Sequence, residues 1–201
     1  MPSGKAGGHR PLNTSAMRGT AIAVVALALA GCGGDGEQPA TPDTVTGPLC
    51  SRLPAGDDPG SPHLLTGDPA DEALQWIPVI TTFEAAVRAT GLDRELHASE
   101  GVTILAPTDD AFNAAFDRQR LDDLLLKRHR ELRELLEAHL VDGVIDLDDM
   151  LGAGEVTTLA GETLAVTDAN GMARLGGRAT TVCADYRVRN ARIHVIDAVL
   201  R

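Results

Sequence analysis

The segment Val102-Thr-Ile-Leu-Ala-Pro-Thr-Asp-Asp-Ala-Phe112 decides the fold of this chain. Its first five residues form an apolar run that predicts a buried strand, and Pro107 ends the strand because it cannot donate to the next hydrogen bond of the ladder. Either Thr108 or Asp109 is suited to cap the helix that follows, since both side chains accept hydrogen bonds from free N–H groups at a helix start. Phe112 is then predicted to lie in the core.

Helical patterns flank this segment on both sides. Upstream, residues 71–91 carry apolar residues at helical spacing, interrupted near Pro78 and ended by Gly91. Downstream, residues 119–140 carry the strongest helical pattern, a leucine stripe opposite a face of arginine and glutamate. We therefore predict helices on both sides of the first strand.

The remainder of the chain alternates short strands with glycine-containing turns. A short helix is expected to open at Asp146, where Asp-Leu-Asp-Asp resembles a capping box. The strands are predicted at residues 155–159, 163–167, 173–175, 178–183 and 193–200. Helices first and a β-rich C-terminal half second indicate an α+β domain.

The N-terminus has the layout of a secretory signal. Residues 1–18 carry three basic residues and no acidic one, and the apolar run 21–30 follows. Ten helical residues rise only about 15 Å, roughly half the hydrocarbon thickness of a membrane, so the run is too short to span one. The run ends in Leu29-Ala30-Gly31-Cys32, which resembles the lipobox of bacterial lipoproteins.

A lipobox predicts that Cys32 is acylated and becomes the first residue after cleavage of residues 1–31. Two or more acyl chains on one cysteine give a stable anchor. The alternative is an ordinary signal peptide with an incidental cysteine. The start is either Met1 or Met17, and nothing downstream depends on that choice. We expect an extracytoplasmic protein, anchored by lipid to the outer face of a bacterial membrane.

Composition limits what the exported chain does. Removing residues 1–31 leaves 170 residues and changes the formal charge from −11 to −14. This length suits one domain, and such an acidic surface disfavours nucleic acid, whose phosphates would repel it. We assign residues 32–69, rich in Gly, Pro and Asp, to a lipidated cysteine and a flexible stalk, and residues 70–201 to the domain. A disulfide at Cys50 would pin part of this stalk to the domain and leave about residues 33–48 free.

Two cysteines remain once Cys32 is assigned to a lipid. In an oxidising compartment, Cys50 and Cys183 are expected to form a disulfide. The alternatives are a metal pair or two free thiols. No metal is expected, because neither cysteine has a histidine or another cysteine near it at ligand spacing.

Four segments, in this order and spacing, resemble the signatures of the fasciclin-domain family. They are Val102–Phe112, His139-Leu-Val-x-Gly143, Thr157-Thr-Leu-x-Gly161 and the closing strand Ile193-His-Val-Ile-Asp-Ala-Val-Leu200. The chain is most similar to the single-domain bacterial branch, including secreted and lipid-anchored immunogenic proteins of mycobacteria. Those proteins also carry a Gly-Pro-x-Cys and a Val-Cys, here ending at Cys50 and Cys183, which supports the disulfide.

The resemblance implies a fasciclin-like β-wedge with packed helices, and a role in adhesion or protein contact without cofactor or catalysis. The motif residues are expected to be mainly structural; they are Pro107, Thr108, Asp109, Phe112, His139, His194 and Asp197. His139 is expected to be a hydrogen-bonding group at a helix end, and Asp197 to accept from buried backbone donors. The family often has a tyrosine before the helix-ending histidine, but here the pair is Ala138-His139, so the animal receptor mechanism is not carried over.

The functional prediction is a cell-surface, lipid-anchored adhesion or protein-interaction module that is not an enzyme and needs no cofactor. The alternative is an extracytoplasmic carrier of a lipid or another apolar ligand. The basic cluster within 118–133 is a solvated helix face paired to glutamates, or a docking surface for an acidic partner or headgroup. The candidate docking residues are Arg120, Arg128, Arg130 and Arg133. We expect a monomer whose partner is an unidentified cell-surface or extracellular protein.

Overall fold

The structure is a computed structural model that describes residues 44–201. Its helices are a 3₁₀ turn at Cys50–Arg52, α1 (Pro62–Leu65), α2 (Ala70–Leu74), α3 (Thr81–Thr90), α4 (Leu92–Ala98), α5 (Asp109–Ala115), α6 (Arg118–Lys127), α7 (His129–Glu137) and α8 (Leu147–Ala153). Its strands are β1 (Val102–Pro107), β2 (Leu140–Asp142), β3 (Glu155–Thr157), β4 (Thr163–Ala169), β5 (Met172–Leu175), β6 (Ala179–Val188) and β7 (Ala191–Ile196). The α+β class is confirmed.

The seven strands form one sheet in the order β2-β1-β7-β6-β5-β4-β3. The first and last strands of the chain, β1 and β7, lie side by side and parallel, with Ile104 opposite Ile193. The two outermost strands also meet, since Val141 of β2 bridges Thr158 and the N–H of Leu159 donates to the carbonyl of Leu140 over 2.7 Å. The sheet therefore curves until its two edges touch.

Two hydrophobic cores lie on opposite faces of the central strands. Ile104 of β1 and Ile193 of β7 face a core shared with the helices, whereas Leu105 and Ile196 face a second core beneath α8 and β3–β5. Because both faces are covered, β1 is buried along its whole length. This double burial explains why the first strand is an unbroken apolar run rather than an alternating one.

The helical region predicted over residues 119–140 is helical as far as Glu137, but it is divided into two helices. The chain forms α6 and α7 with a break at Arg128, whose backbone leaves the helical region at φ −116° and ψ 49°. Leu124 of α6 and Leu132 of α7, on either side of the break, are both buried in the same core. Leu140, expected to close the helical stripe, instead belongs to β2.

Within residues 44–69, which we expected to include the pinned part of the stalk, Leu53 and Leu65 are buried in the helix-side core. The closing strand ends at Ile196 and not at Leu200. Residues 1–43, which carry the signal and Cys32, lie outside the described residues.

A disulfide joins Cys50 and Cys183, as the cysteine count predicted. Backbone hydrogen bonds from Thr46 and Leu49 to β6 align the same segment. Gly47 is required there, because a Cβ would lie 2.4 Å from the carbonyl oxygen of Val182. Residues 46–50 are thus fixed to β6 by covalent and backbone contacts together.

Candidate interaction surface

The motif at the end of β1 holds two helices. The Thr108 side chain accepts a hydrogen bond from the N–H of Ala111 over 3.1 Å and caps α5. Asp109 caps α3 instead. Its carboxylate accepts hydrogen bonds from the N–H of Thr82 over 2.7 Å and from the hydroxyl of Thr81 over 2.9 Å. The motif therefore fixes the start of α5 and the start of α3 at one point.

His139 is fully buried at the end of α7. Its Nδ1 donates to the carbonyl of Leu135 over 2.8 Å, and its Nε2 accepts from the N–H of Leu200 over 2.9 Å. Accepting at Nε2 requires the neutral ring, and burial lowers the pKa of His139 to about 4. The side chain thus joins α7 to the C-terminus.

His194 of β7 is buried in the same way and also bonds to backbone groups. Its Nε2 lies 2.9 Å from the carbonyl of Ile145, and its Nδ1 accepts weakly from the N–H of Asp185 over 3.4 Å. Burial lowers the pKa of His194, although the nearby Asp185 carboxylate opposes that shift. Since both buried histidines use both ring nitrogens on backbone groups, neither is arranged as a catalytic base or a metal ligand.

Asp197 differs from its expected position. It is exposed and lies just after β7, where its carboxylate accepts from the N–H of Thr180 over 2.7 Å. Buried backbone donors were expected for this carboxylate, but the hydrogen bond lies at the surface. Asp197 therefore fastens β6 to the segment that follows β7.

Two structural residues were missed from the sequence. Asn190, in the turn between β6 and β7, accepts from the N–H of Ala70 and donates to the carbonyls of Leu96 and Ser99. Thr103 of β1 donates to the carbonyl of Gly143 over 2.7 Å and holds the loop after β2. Asparagine is a residue type common in turns, but the sequence gives no sign of the partners of Asn190, which are 91 to 120 positions away.

All four candidate docking arginines form ion pairs with glutamates. Arg120 and Arg128 both pair with Glu131, Arg130 pairs with Glu134, and Arg133 pairs with Glu95 and Glu137. The hydrogen bond from Arg133 lowers the pKa of Glu95, which keeps that carboxylate charged. The positive potential of this helix face is therefore weaker than its sequence indicates.

An open groove of about 540 Å³ lies between the end of α5, helices α6 and α7, and the C-terminal residues. We call it the α6–α7 groove. Its apolar floor and charged rim include Phe116, Leu124, Leu135, Ala138, Leu200, Arg120, Glu131, Glu134 and Arg201. Of the four docking candidates, only Arg120 lines it. Arg201 is held in place, because its guanidinium lies 5.5 Å from the centre of the Phe116 ring and donates to the carbonyl of Ala115 over 3.0 Å.

A second polar cluster joins α2 to α4. Asp71, Glu72 and His97 bring three possible ligand atoms within 4.8 Å of one another at the surface. Nδ1 of His97 already lies 3.0 Å from the carboxylate of Asp71. We interpret the cluster as a contact between two helices.

Within residues 44–201, no helix combines the length and the apolar character needed to cross a membrane.

The comparisons agree with the sequence motifs. Residues 78–201 match the fasciclin domain. The chain belongs to the fasciclin-domain family. Fasciclin domains are linked to cell adhesion and protein interaction, are typically extracellular or secreted, and are known as non-catalytic domains.

Individual relatives differ widely in length. The chain is 38% identical over 121 residues to Protein sll1483 of Synechocystis, covering 60% of this chain and 66% of that protein. It is 31% identical over 129 residues to the transforming growth factor-beta-induced protein ig-h3 of Sus scrofa, covering 63% of this chain but 19% of that protein. A solved FAS1 domain pair from the insect cell adhesion molecule fasciclin I aligns with a TM-score of 0.47 and 22% identity, over 60% of this chain and 44% of that one.

Proposed function

We propose that this protein is a lipid-anchored module that presents its fasciclin domain outside a bacterial membrane for contact with another protein. The observation that carries the proposal is the α6–α7 groove, an open and largely apolar surface of the domain. An exposed apolar concavity with a charged rim is typical of a protein-interaction site.

The partner that fits the groove is a polypeptide segment with an apolar side chain at its centre. The floor supplies Leu124, Leu135 and Leu200, and the rim supplies charges of both signs through Arg120 and Glu134. Arg120 is already paired with Glu131, so its charge adds little attraction for a partner. The charged rim therefore contributes more to the choice of partner than to the strength of binding. An acidic partner is therefore not required by this surface.

The proposed anchor places the domain near the membrane. Thr44, the first described residue, lies twelve positions after Cys32. A chain of this length reaches at most about 40 Å when fully extended. The groove would thus be offered to partners in the same cell envelope or on a neighbouring surface.

The second candidate function is a carrier of a lipid or another apolar ligand. The apolar floor of the groove favours it, since an acyl chain would find the same leucines. The groove is open to solvent, however, and a carrier shields most of its ligand's surface. The interaction module is therefore the better supported of the two.

Photo-crosslinking in the native cell tests the proposal. A photo-reactive residue is placed at Glu134 on the groove rim and, as the control, at Asp148, which is exposed on α8. The proposal expects a discrete protein adduct from position 134 and none from position 148, lost when Cys32→Ala releases the chain from the membrane. Equal adducts from both positions, or a lipid adduct alone, would overturn it.

A further inference from the structure

A second exposed apolar surface lies away from the α6–α7 groove, around the single tryptophan of the chain. The side chains of Trp76 and Leu64 are 51% and 47% exposed, although both are large and apolar. They line one shallow concavity of about 230 Å³ together with Pro59, Gly60 and Asp68. We call this surface the Trp76 patch.

The patch rests on a rigid base. Leu65 and Ile77, each next in sequence to one of the exposed residues, are buried in the helix-side core. Gly60 adopts a φ of +89°, and a Cβ there would lie 2.2 Å from the carbonyl oxygen of Trp76. Because the backbone beneath the indole is packed this closely, a ligand would bind with little ordering cost.

The segment that forms the patch is acidic. Between Arg52 and Arg88 the chain has no lysine or arginine, whereas five carboxylates fall within residues 57–72, at Asp57, Asp58, Asp68, Asp71 and Glu72. Asp68 lines the concavity itself. The backbone N–H of Arg189 donates to the carbonyl of Asp68, which brings one exposed arginine to the edge of the segment. The sum of these charges stays negative.

An exposed indole beside carboxylates suits one kind of ligand. The face of tryptophan attracts a guanidinium or an ammonium group, and a carboxylate nearby strengthens that attraction. Leu64 adds an apolar contact for a hydrophobic side chain that lies next to the cationic one in the ligand. An anionic membrane surface or nucleic acid would be repelled by the same carboxylates.

We propose that the Trp76 patch binds a positively charged polypeptide segment, with an arginine or lysine side chain stacked on Trp76 and an apolar side chain against Leu64. Asp68 faces the bound cation. The patch and the α6–α7 groove share no lining residue, so the domain has two separate interaction surfaces.

Fluorescence tests the proposal directly, because Trp76 is the only tryptophan and its emission reports this surface alone. The full chain is titrated with a blocked hexapeptide that carries arginine and leucine in alternation. The matched control peptide replaces arginine with citrulline, which keeps the shape and removes the charge. We expect a saturable change in emission for the arginine peptide, with a dissociation constant below about 1 mM that rises with salt, and a constant at least about fivefold higher for the citrulline peptide.

Variants assign the binding to named residues. Leu64→Ala and Asp68→Asn are each expected to weaken binding of the arginine peptide by about threefold to tenfold. Leu159→Ala is the matched control, since Leu159 is 52% exposed elsewhere on the domain. Circular dichroism of each variant shows that the fold is retained. Equal binding of the two peptides, no saturation by the arginine peptide, or an emission change with zwitterionic vesicles in place of the peptide would overturn the proposal.

Discussion

The Nε2 atom of His139 accepts a hydrogen bond from the backbone N–H of Leu200, with 2.9 Å between the two nitrogens. The same ring donates from Nδ1 to the carbonyl of Leu135 in α7. A protonated ring has two donors and no acceptor, so it would place a donor against the N–H of Leu200. The contact between α7 and the C-terminus therefore depends on the charge of one buried imidazole.

This dependence predicts that the domain loses stability in acid. An unfolded histidine binds a proton below about pH 6.5, but His139 in the folded domain does so only near pH 4. Between those values the unfolded state holds more protons, so the free energy of unfolding falls as the pH falls, by up to about 1.4 kcal/mol per pH unit. Urea denaturation at pH 7, 5.5 and 4.5 measures the slope, to which the buried His194 adds in the same direction.

The His139→Gln variant isolates the contribution of this ring. We expect lower stability at pH 7, because the N–H of Leu200 loses its fixed acceptor. Between about pH 6.5 and 4, we expect the free energy of unfolding to depend less on pH, because about one proton fewer is taken up on unfolding. His129→Gln is the control, since His129 is exposed on α7. An unchanged slope in His139→Gln would rule out this imidazole as the source.

Two adjacent aspartates provide a second matched pair. Asp109 accepts from the backbone and side chain at the start of α3, whereas Asp110 is exposed. We expect Asp109→Ala to lower the free energy of unfolding by about 1–2 kcal/mol, the usual cost of a lost helix cap. Asp110→Ala should cost less than about 0.5 kcal/mol, because it loses only an interaction with the dipole of α5. Urea denaturation at pH 7 compares the two, and equal costs would contradict the assignment of Asp109 as the cap of α3.

Asn190 gives the third prediction. Its side chain satisfies the N–H of Ala70 and the carbonyls of Leu96 and Ser99, which start α2 and end α4. Asn190→Ala should lower the free energy of unfolding by about 1–3 kcal/mol, because partly buried backbone groups lose their partners. Asn113→Ala, on the exposed face of α5, should be near neutral. Thermal unfolding of the two variants checks the difference, and similar shifts would show that the Asn190 bonds are replaced by water.

Local signals predicted the first strand and the capped helix after it. An apolar run, a proline and a threonine specify β1 and the start of α5 through contacts only a few residues apart. The sequence did not separate the roles of Thr108 and Asp109, since Asp109 caps a helix that begins 28 positions earlier. Contacts between segments that are distant in sequence could not be predicted from a single sequence.

The break between α6 and α7 shows a second limit. The residues around Arg128 include no glycine or proline, so helix propensity alone favours one continuous helix. The chain instead turns there, and Leu124 of α6 is buried in the same core as Leu132 and Leu136 of α7. Tertiary packing overrides the local preference at this position, as it does for Leu140, which becomes part of β2.

The last prediction concerns the disulfide. Cys50 and Cys183 are 133 positions apart, so the bond closes a loop that contains most of the domain. In the chain-entropy model a loop of this length stabilises the folded state by about 5 kcal/mol. The double variant Cys50→Ala/Cys183→Ala should therefore unfold at a clearly lower temperature than the parent chain. The hydrogen bonds of Thr46 and Leu49 to β6 remain possible without the bond, so we expect destabilisation and not loss of the fold. Reductant should lower the melting temperature of the parent chain and leave that of the double variant unchanged; an equal response in both would mean that the reductant acts elsewhere.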